Sequence, residues 1–116
     1  EDGNNGVLCM TYYVSHAFSS DKRSSTMAKR TLLELQKKDL LNCYICPVVS
    51  LPILECEDID KDSKMELCYD MMTLCDAVVI GSYIGETVKK EIEFARLIKM
   101  EVFRLGADGK LRPFTE

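Results

Sequence analysis

Apolar runs of the length of a β-strand alternate with segments of helical periodicity along the whole chain. Strands are predicted at residues 8–14, 43–49, 77–82 and 101–105, with a short fifth at 111–114. Helices are predicted over about 25–38, from a cap at Ser63 to Cys75, and over 87–99. Strands that alternate with helices pair in parallel through crossover connections. We therefore expect an α/β three-layer sandwich with a four- to five-stranded, mainly parallel sheet in a flavodoxin-like or Rossmann-like order.

The length of 116 residues suits one domain, which we assign to residues 8–116. The polar, glycine-containing start EDGNNGV, residues 1–7, is expected to be disordered or derived from an expression vector.

Charge and hydropathy limit the function classes. The net charge of −4 and the pI near 5.1 argue against a nucleic-acid binder. Lys22, Arg23, Lys29 and Arg30 still form a local basic cluster. No apolar run has the length of a membrane span and no leader opens the chain, so we expect a cytoplasmic protein that binds neither nucleic acid nor membrane.

Six cysteines raise the question of a metal or a disulfide. Cys43 and Cys46 have the spacing of a zinc knuckle, but they fall in a predicted strand, where residues three apart point to opposite faces. The chain has one histidine and no second pair of this spacing. Buried reduced thiols in a cytosolic protein are the favoured interpretation, and we predict no metal site and no cofactor.

Glu91 occupies an unusual place on the last predicted helix. On a helical wheel it falls inside the apolar arc of Val88, Ile92, Ala95 and Ile98. Three interpretations compete. The carboxylate reaches water or a cation at the edge of the arc, it forms a buried ion pair, or it faces a ligand crevice as a functional group.

The crevice of such a sheet lies beyond the carboxyl ends of its strands. Ser15 and His16 end the first strand, where the imidazole is a candidate acid, base or hydrogen-bond donor, or a turn residue bonded to a local carbonyl. Ser82 and Tyr83 end the third strand, and Tyr83 could stack on a base. The candidate binding residues are Ser15, His16, Phe18, Ser82, Tyr83 and Thr87, with Tyr83 and Phe18 equally suited to a subunit contact.

Three stretches in order, YVSHAFSSDK, MELCYDMMTLCDAVVIGSY and TVKKEIEFARLIKMEV, resemble a group of small bacterial and phage domains related to nucleoside 2-deoxyribosyltransferases. The resemblance spans roughly residues 10–105. It implies a Rossmann-like fold, a nucleoside or nucleotide ligand, a homo-oligomer, and Glu91 as the nucleophile that attacks the anomeric carbon of an N-glycosidic bond.

The chain departs from this pattern at several positions. Ala17 replaces the usual proline, Thr87 replaces a glycine four residues before the glutamate, and Gly85 followed by Glu86 replaces an acidic residue. Asp70 is out of step with a further acid of the family. A non-catalytic nucleotide-sensing or protein-interaction module is therefore the alternative.

The opening YYVSHAFSSDKRSS also resembles the start of a Toll/interleukin-receptor domain, some members of which cleave NAD. This resemblance implies a comparable role for Glu91 with a different substrate, although the usual tryptophan before the glutamate is missing.

Overall fold

The computed structural model describes residues 9–19 and 22–115. The expectation for residues 1–7 lies outside the described residues. In chain order the elements are β1 (Thr11–Ser15), α1 (Lys22–Lys38), β2 (Cys43–Ile45), α2 (Pro47–Ser50), a 3₁₀ turn (Pro52–Glu55), α3 (Lys61–Thr73), β3 (Ala77–Ile80), α4 (Glu86–Leu97), β4 (Glu101–Leu105) and β5 (Leu111–Pro113).

The five strands form one sheet in the order β2-β1-β3-β4-β5. The first four strands are parallel and β5 runs antiparallel to β4. A turn that includes Gly109, with φ of 81°, joins β4 to β5. The predicted α/β sandwich with a mainly parallel sheet in flavodoxin-like order is confirmed.

Helices cover the two faces of the sheet, and neighbouring residues of β1 tell the faces apart. Val14 points to the α1 side, where a Cβ added at Gly81 would lie 2.6 Å from its Cγ1 and 3.3 Å from Cγ2 of Thr31. Tyr13 and Ser15 point to the opposite side and bond to α4. Helix α3 packs beside α4 on that second face, where the rings of Tyr69 and Phe94 stack 4.3 Å apart.

The bounds of several predicted elements were wrong by two or three residues; the first strand, for example, was predicted at 8–14 and spans Thr11–Ser15. Two further differences have an identifiable cause. The second strand ends at Ile45 instead of residue 49, because Pro47 has no N–H for the ladder and instead opens the short helix α2. The cap of α3 is Asp60, whose carboxylate accepts hydrogen bonds from both the backbone N–H and the hydroxyl of Ser63.

Candidate functional site

The Glu91 carboxyl group lies fully buried between α4 and the interior strand β1. Its side chain has 0 % exposure. The Tyr13 hydroxyl donates to Oε2 at 2.6 Å, and the Ser15 hydroxyl donates to Oε1 at 2.6 Å. Tyr13 and Ser15 are two residues apart on one strand, so both hydroxyls reach the same face of the sheet. Each carboxyl oxygen therefore has its own donor from β1.

Burial raises the pKa of Glu91 to about 7, and the hydrogen bonds from Ser15, Tyr13 and Cys68 oppose that rise. Among the described residues no ion pair involves Glu91, so none offsets its burial. Two of the three interpretations of Glu91 are therefore excluded. Its carboxyl group neither reaches solvent at the edge of the apolar arc nor forms a buried ion pair with any described residue.

The groups around Glu91 are neutral. Burial raises the pKa of Cys46 and of Cys68 to about 12, so both thiols stay protonated at neutral pH. Burial, and then the charge of Glu91, raise the pKa of Tyr13 well above its ordinary value. Tyr69, at the edge of this cluster, also has a raised pKa, chiefly through burial. The site can therefore hold one exchangeable proton, on Glu91, near neutral pH.

A cleft of about 370 Å³ opens on the other face of the sheet, at the carboxyl ends of β1 and β3. It lies at the switch point of the strand order, where ligands bind in sheets of this kind. Its walls come from the loops after β1 and β3 and from the first turns of α1: His16, Ala17, Ser19, Arg23, Ser24, Met27, Thr31, Gly81, Ser82 and Tyr83. Glu91 is not among the residues that line it.

Hydrogen bonds fix the two loops that form the floor of this cleft. The backbone N–H of Ala17 donates to the Ser82 hydroxyl at 2.9 Å, and that hydroxyl donates to the Tyr83 carbonyl at 3.0 Å. The His16 ring nitrogen Nδ1 lies 2.7 Å from the Ala17 carbonyl, which requires the proton on Nδ1 and leaves Nε2 as an acceptor in the neutral ring. Ser82 therefore fastens the β1 loop to the β3 loop.

The ring of Tyr83 is the exposed aromatic surface at this cleft. It is 73 % exposed. A Cβ added at Gly85 would lie 2.8 Å from its Cε2 atom, so the ring packs against the residue that caps α4. Because Gly85 lacks a side chain, the ring can lie flat on that backbone.

The predicted binding residues therefore separate into three groups. His16, Ser82 and Tyr83 line the cleft, whereas Ser15 bonds to Glu91 on the opposite face. Phe18 and Thr87 are buried and do not line the cleft; the ring of Phe18 belongs to the hydrophobic core, with Lys61 Nζ 5.2 Å from its centroid.

The sequence did not identify Tyr13 or Arg23 as site residues. Tyr13 lies two positions before Ser15, a spacing that places both on one face of a strand, but it falls in an otherwise apolar run. Arg23 belongs to the first turns of α1 and follows the hydroxyl-rich loop after β1. Asp70 and Glu86, whose roles the sequence left open, are exposed and do not line the cleft.

All six cysteines are free thiols. Cys46 and Cys68 are buried, but the expectation of burial is wrong for Cys9, Cys43 and Cys56, which are exposed. Within residues 9–19 and 22–115, no group of three or more His, Cys, Asp or Glu side chains is arranged to hold a metal ion. In the same described residues, no helix combines the length and the apolar character needed to cross a membrane.

Comparison of the chain with known proteins found no matching family model, no matching curated protein and no matching solved structure.

Proposed function

We propose that the protein binds a nucleoside or nucleotide in the cleft at the carboxyl ends of β1 and β3. One observation carries this proposal. The cleft combines an exposed aromatic ring, an arginine, an imidazole and several hydroxyl groups, and none of the described residues that line it is acidic. This combination suits a ligand with a flat base, a polyhydroxylated sugar and an anionic group.

Each group in the cleft has a chemical counterpart in such a ligand. The Tyr83 ring offers a face on which a base can stack. Arg23 and the amino-terminal end of α1 favour a phosphate group. Ser19 and Ser24, whose hydroxyl oxygens lie 3.2 Å apart, can bond to sugar or phosphate oxygens. The volume of about 370 Å³ falls within the range of roughly 300–1,000 Å³ typical of small-molecule sites.

Binding can be tested by thermal unfolding and titration calorimetry with deoxynucleosides, deoxynucleoside monophosphates and NAD. A ligand of the cleft should raise the midpoint of unfolding of the wild type. Tyr83→Ala should weaken binding of all of them, and Arg23→Ala should weaken binding of the phosphorylated ligands most. Arg30→Ala, an exposed arginine two turns further along α1, serves as the matched control. Wild-type protein that responds to none of these ligands would refute the proposal.

A second candidate function is cleavage or transfer at the N-glycosidic bond of that ligand by Glu91. Two short hydrogen bonds from β1 orient its carboxyl group, and its pKa near 7 leaves a large ionised fraction at neutral pH. The resemblance to nucleoside 2-deoxyribosyltransferases implies the same role. A carboxylate oxygen would bond to the anomeric carbon while the carbon–nitrogen bond breaks, and the departing base would keep that electron pair and take a proton from water. Attack by water or by a second base on the resulting glycosyl ester would then release the sugar and restore the carboxylate.

This second function sets a structural requirement, because Glu91 has no exposure to solvent. A substrate can reach the carboxylate only if β1 and α4 separate at the carboxyl end of the sheet. Glu91 and the cleft would then have to come into one space, although they lie on opposite faces in this conformation.

Turnover is tested separately from binding, by chromatography of the released base after incubation with the same ligands. Glu91→Gln should abolish release and retain binding, whereas Glu93→Gln, which removes an exposed acid of the same helix, should retain both. Ligand binding without base release would identify the non-catalytic sensing module. Base release that persists in Glu91→Gln would exclude the catalytic role of this residue.

A further inference from the structure

Helix α1 is strongly basic in an acidic chain. It contains six of the 15 lysines and arginines and one of the 19 acidic residues, and the whole chain has a net charge of −4. Its outward surface includes Lys29, Arg30, Leu33 and Lys37, all exposed, with 55 % of Leu33 accessible. We call these four residues the basic face. Lys29, Leu33 and Lys37 follow one another at intervals of four residues and so form a row, slightly inclined to the helix axis, that spans about 12 Å along it.

Helix α3 carries the complementary row on the other side of the sheet. Asp62, Glu66 and Asp70 also follow one another at intervals of four residues and are all exposed. Leu67, which is 38 % exposed, lies beside this row. We call these four residues the acidic face. The two lysines of α3 lie elsewhere, since Lys64 is buried and Lys61 lies over the Phe18 ring.

The two faces are opposite in charge, and their rows have the same four-residue spacing. Each presents charged groups along a row of about 12 Å, with an exposed leucine in the row or next to it. Among the described residues, no basic side chain of the basic face forms an ion pair. The same holds for the three carboxylates of the acidic face. Each row is therefore available to a partner of opposite charge.

The sheet separates these faces within one molecule. Helix α1 packs on the face towards which Val14 points, and α3 packs beside α4 on the face of Tyr13 and Ser15. A single chain therefore cannot bring the two rows together. When two copies meet through them, one basic face and one acidic face stay unoccupied, which is the arrangement of a head-to-tail contact.

We propose that the basic face of α1 docks on the acidic face of α3 in a second copy of this chain. The contact pairs Lys29 and Lys37 of one copy with carboxylates of the other, and Leu33 packs against Leu67. Complementary charge governs the encounter and fixes the orientation of such a contact. Repeated head-to-tail, it produces a closed ring or a short open chain.

The test is sedimentation velocity of the full chain at concentrations from roughly 10 µM to 1 mM, a range suited to weak contacts. In about 0.01 M salt, where the Debye length is about 30 Å, the average mass should rise above 13.2 kDa as the concentration increases. In about 1 M salt, where this length is about 3 Å, the protein should sediment as a monomer. A monomer at every concentration in low salt would overturn the proposal.

Charge reversal then locates the contact. Lys29→Glu/Lys37→Glu alone and Glu66→Lys/Asp70→Lys alone should each stay monomeric, because like charges then face each other. Mixing the two variants should restore association, since each supplies the opposite face to the other. Lys89→Glu/Lys110→Glu makes the same change in net charge as Lys29→Glu/Lys37→Glu, at exposed positions outside both faces, and should associate like the wild type.

Circular dichroism should show that every variant is folded before its mass is compared. A mixture that remains monomeric would refute the pairing of these two helices. Association that persists in both charge-reversal variants would also refute this pairing. Co-sedimentation of monomeric wild type with anionic vesicles would instead assign the basic face to a lipid surface and contradict the proposal.

Discussion

Replacing Glu91 by Gln should remove a large pH dependence of the stability of this protein. The pKa of Glu91 rises from an ordinary value of 4.5 to about 7 because folding buries the carboxyl group. At about 1.4 kcal/mol per pH unit, this rise corresponds to roughly 3 kcal/mol of unfolding free energy. The amide of Gln has nearly the same shape and carries no charge at any of these pH values.

The sign of the effect follows from which state holds the proton. Between pH 4.5 and 7 the folded protein keeps the Glu91 proton, whereas the unfolded chain has lost it. Glu91 therefore contributes full stability below pH 4.5, and this contribution is lost as the pH rises through 7. Wild-type protein should lose most of the roughly 3 kcal/mol between pH 5 and pH 8 relative to the variant.

The measurement is urea unfolding of wild type and Glu91→Gln at half-unit steps from pH 5 to 8.5, followed by circular dichroism. The difference between the two curves isolates residue 91, because all other groups titrate in both proteins. Glu93→Gln, at an exposed position of the same helix, should run parallel to the wild type. Parallel curves for wild type and Glu91→Gln would refute the reasoning, since they would show that the buried carboxyl group does not titrate in this window.

Three further outcomes are expected. Tyr13→Phe removes the donor to one oxygen of Glu91 and should cost about 1–3 kcal/mol in urea unfolding, with a larger loss at pH 8 than at pH 5, where the acid is neutral. Equal losses at the two pH values would contradict this. Gly81→Ala should cost about 1–3 kcal/mol, because the added Cβ would lie 2.6 Å from the buried Val14 side chain; unchanged thermal unfolding would count against that packing. Thiol labelling of the native protein, followed by mass spectrometry, should modify the exposed Cys9, Cys43 and Cys56 first. The buried Cys46 and Cys68 should react only after unfolding.

The sequence predicts the layers of this fold well because its strands and helices differ in periodicity. The predicted strand 77–82 begins with four apolar residues, and these form the observed strand Ala77–Ile80, which is buried at every position at the centre of the sheet. The stretch after Cys43 is equally apolar, yet Pro47 interrupts the ladder there and turns the chain into a helix. The end of this strand is set by the missing N–H of Pro47, so it cannot be predicted from hydrophobicity alone.

The inward direction of Glu91 was also predictable, since the helical wheel places it between residues of the buried stripe. Its surroundings were not, because they depend on which face of the sheet α4 covers. In the sequence Tyr13 looks like one more apolar residue of a strand. The structure shows that its hydroxyl donates a hydrogen bond to the Glu91 carboxylate. A cleft lies at the strand ends, where the sequence predicts the crevice, but the helical wheel cannot show that this cleft opens on the α1 side, away from Glu91.

Ser15, the last residue of β1, and His16, the residue that follows it, connect the cleft to the buried carboxyl group. His16 lines the cleft on one face, and Ser15 donates its hydroxyl to Glu91 on the other. A ligand that moved His16 would pull on the peptide that positions Ser15, and loss of that hydrogen bond would raise the pKa of Glu91 further. Any coupling of this kind is reciprocal, so protonation of Glu91 would change ligand affinity by the same factor. The buried acid can therefore influence the proposed ligand site without touching the ligand, which gives it a role in a binding module as well as in an enzyme.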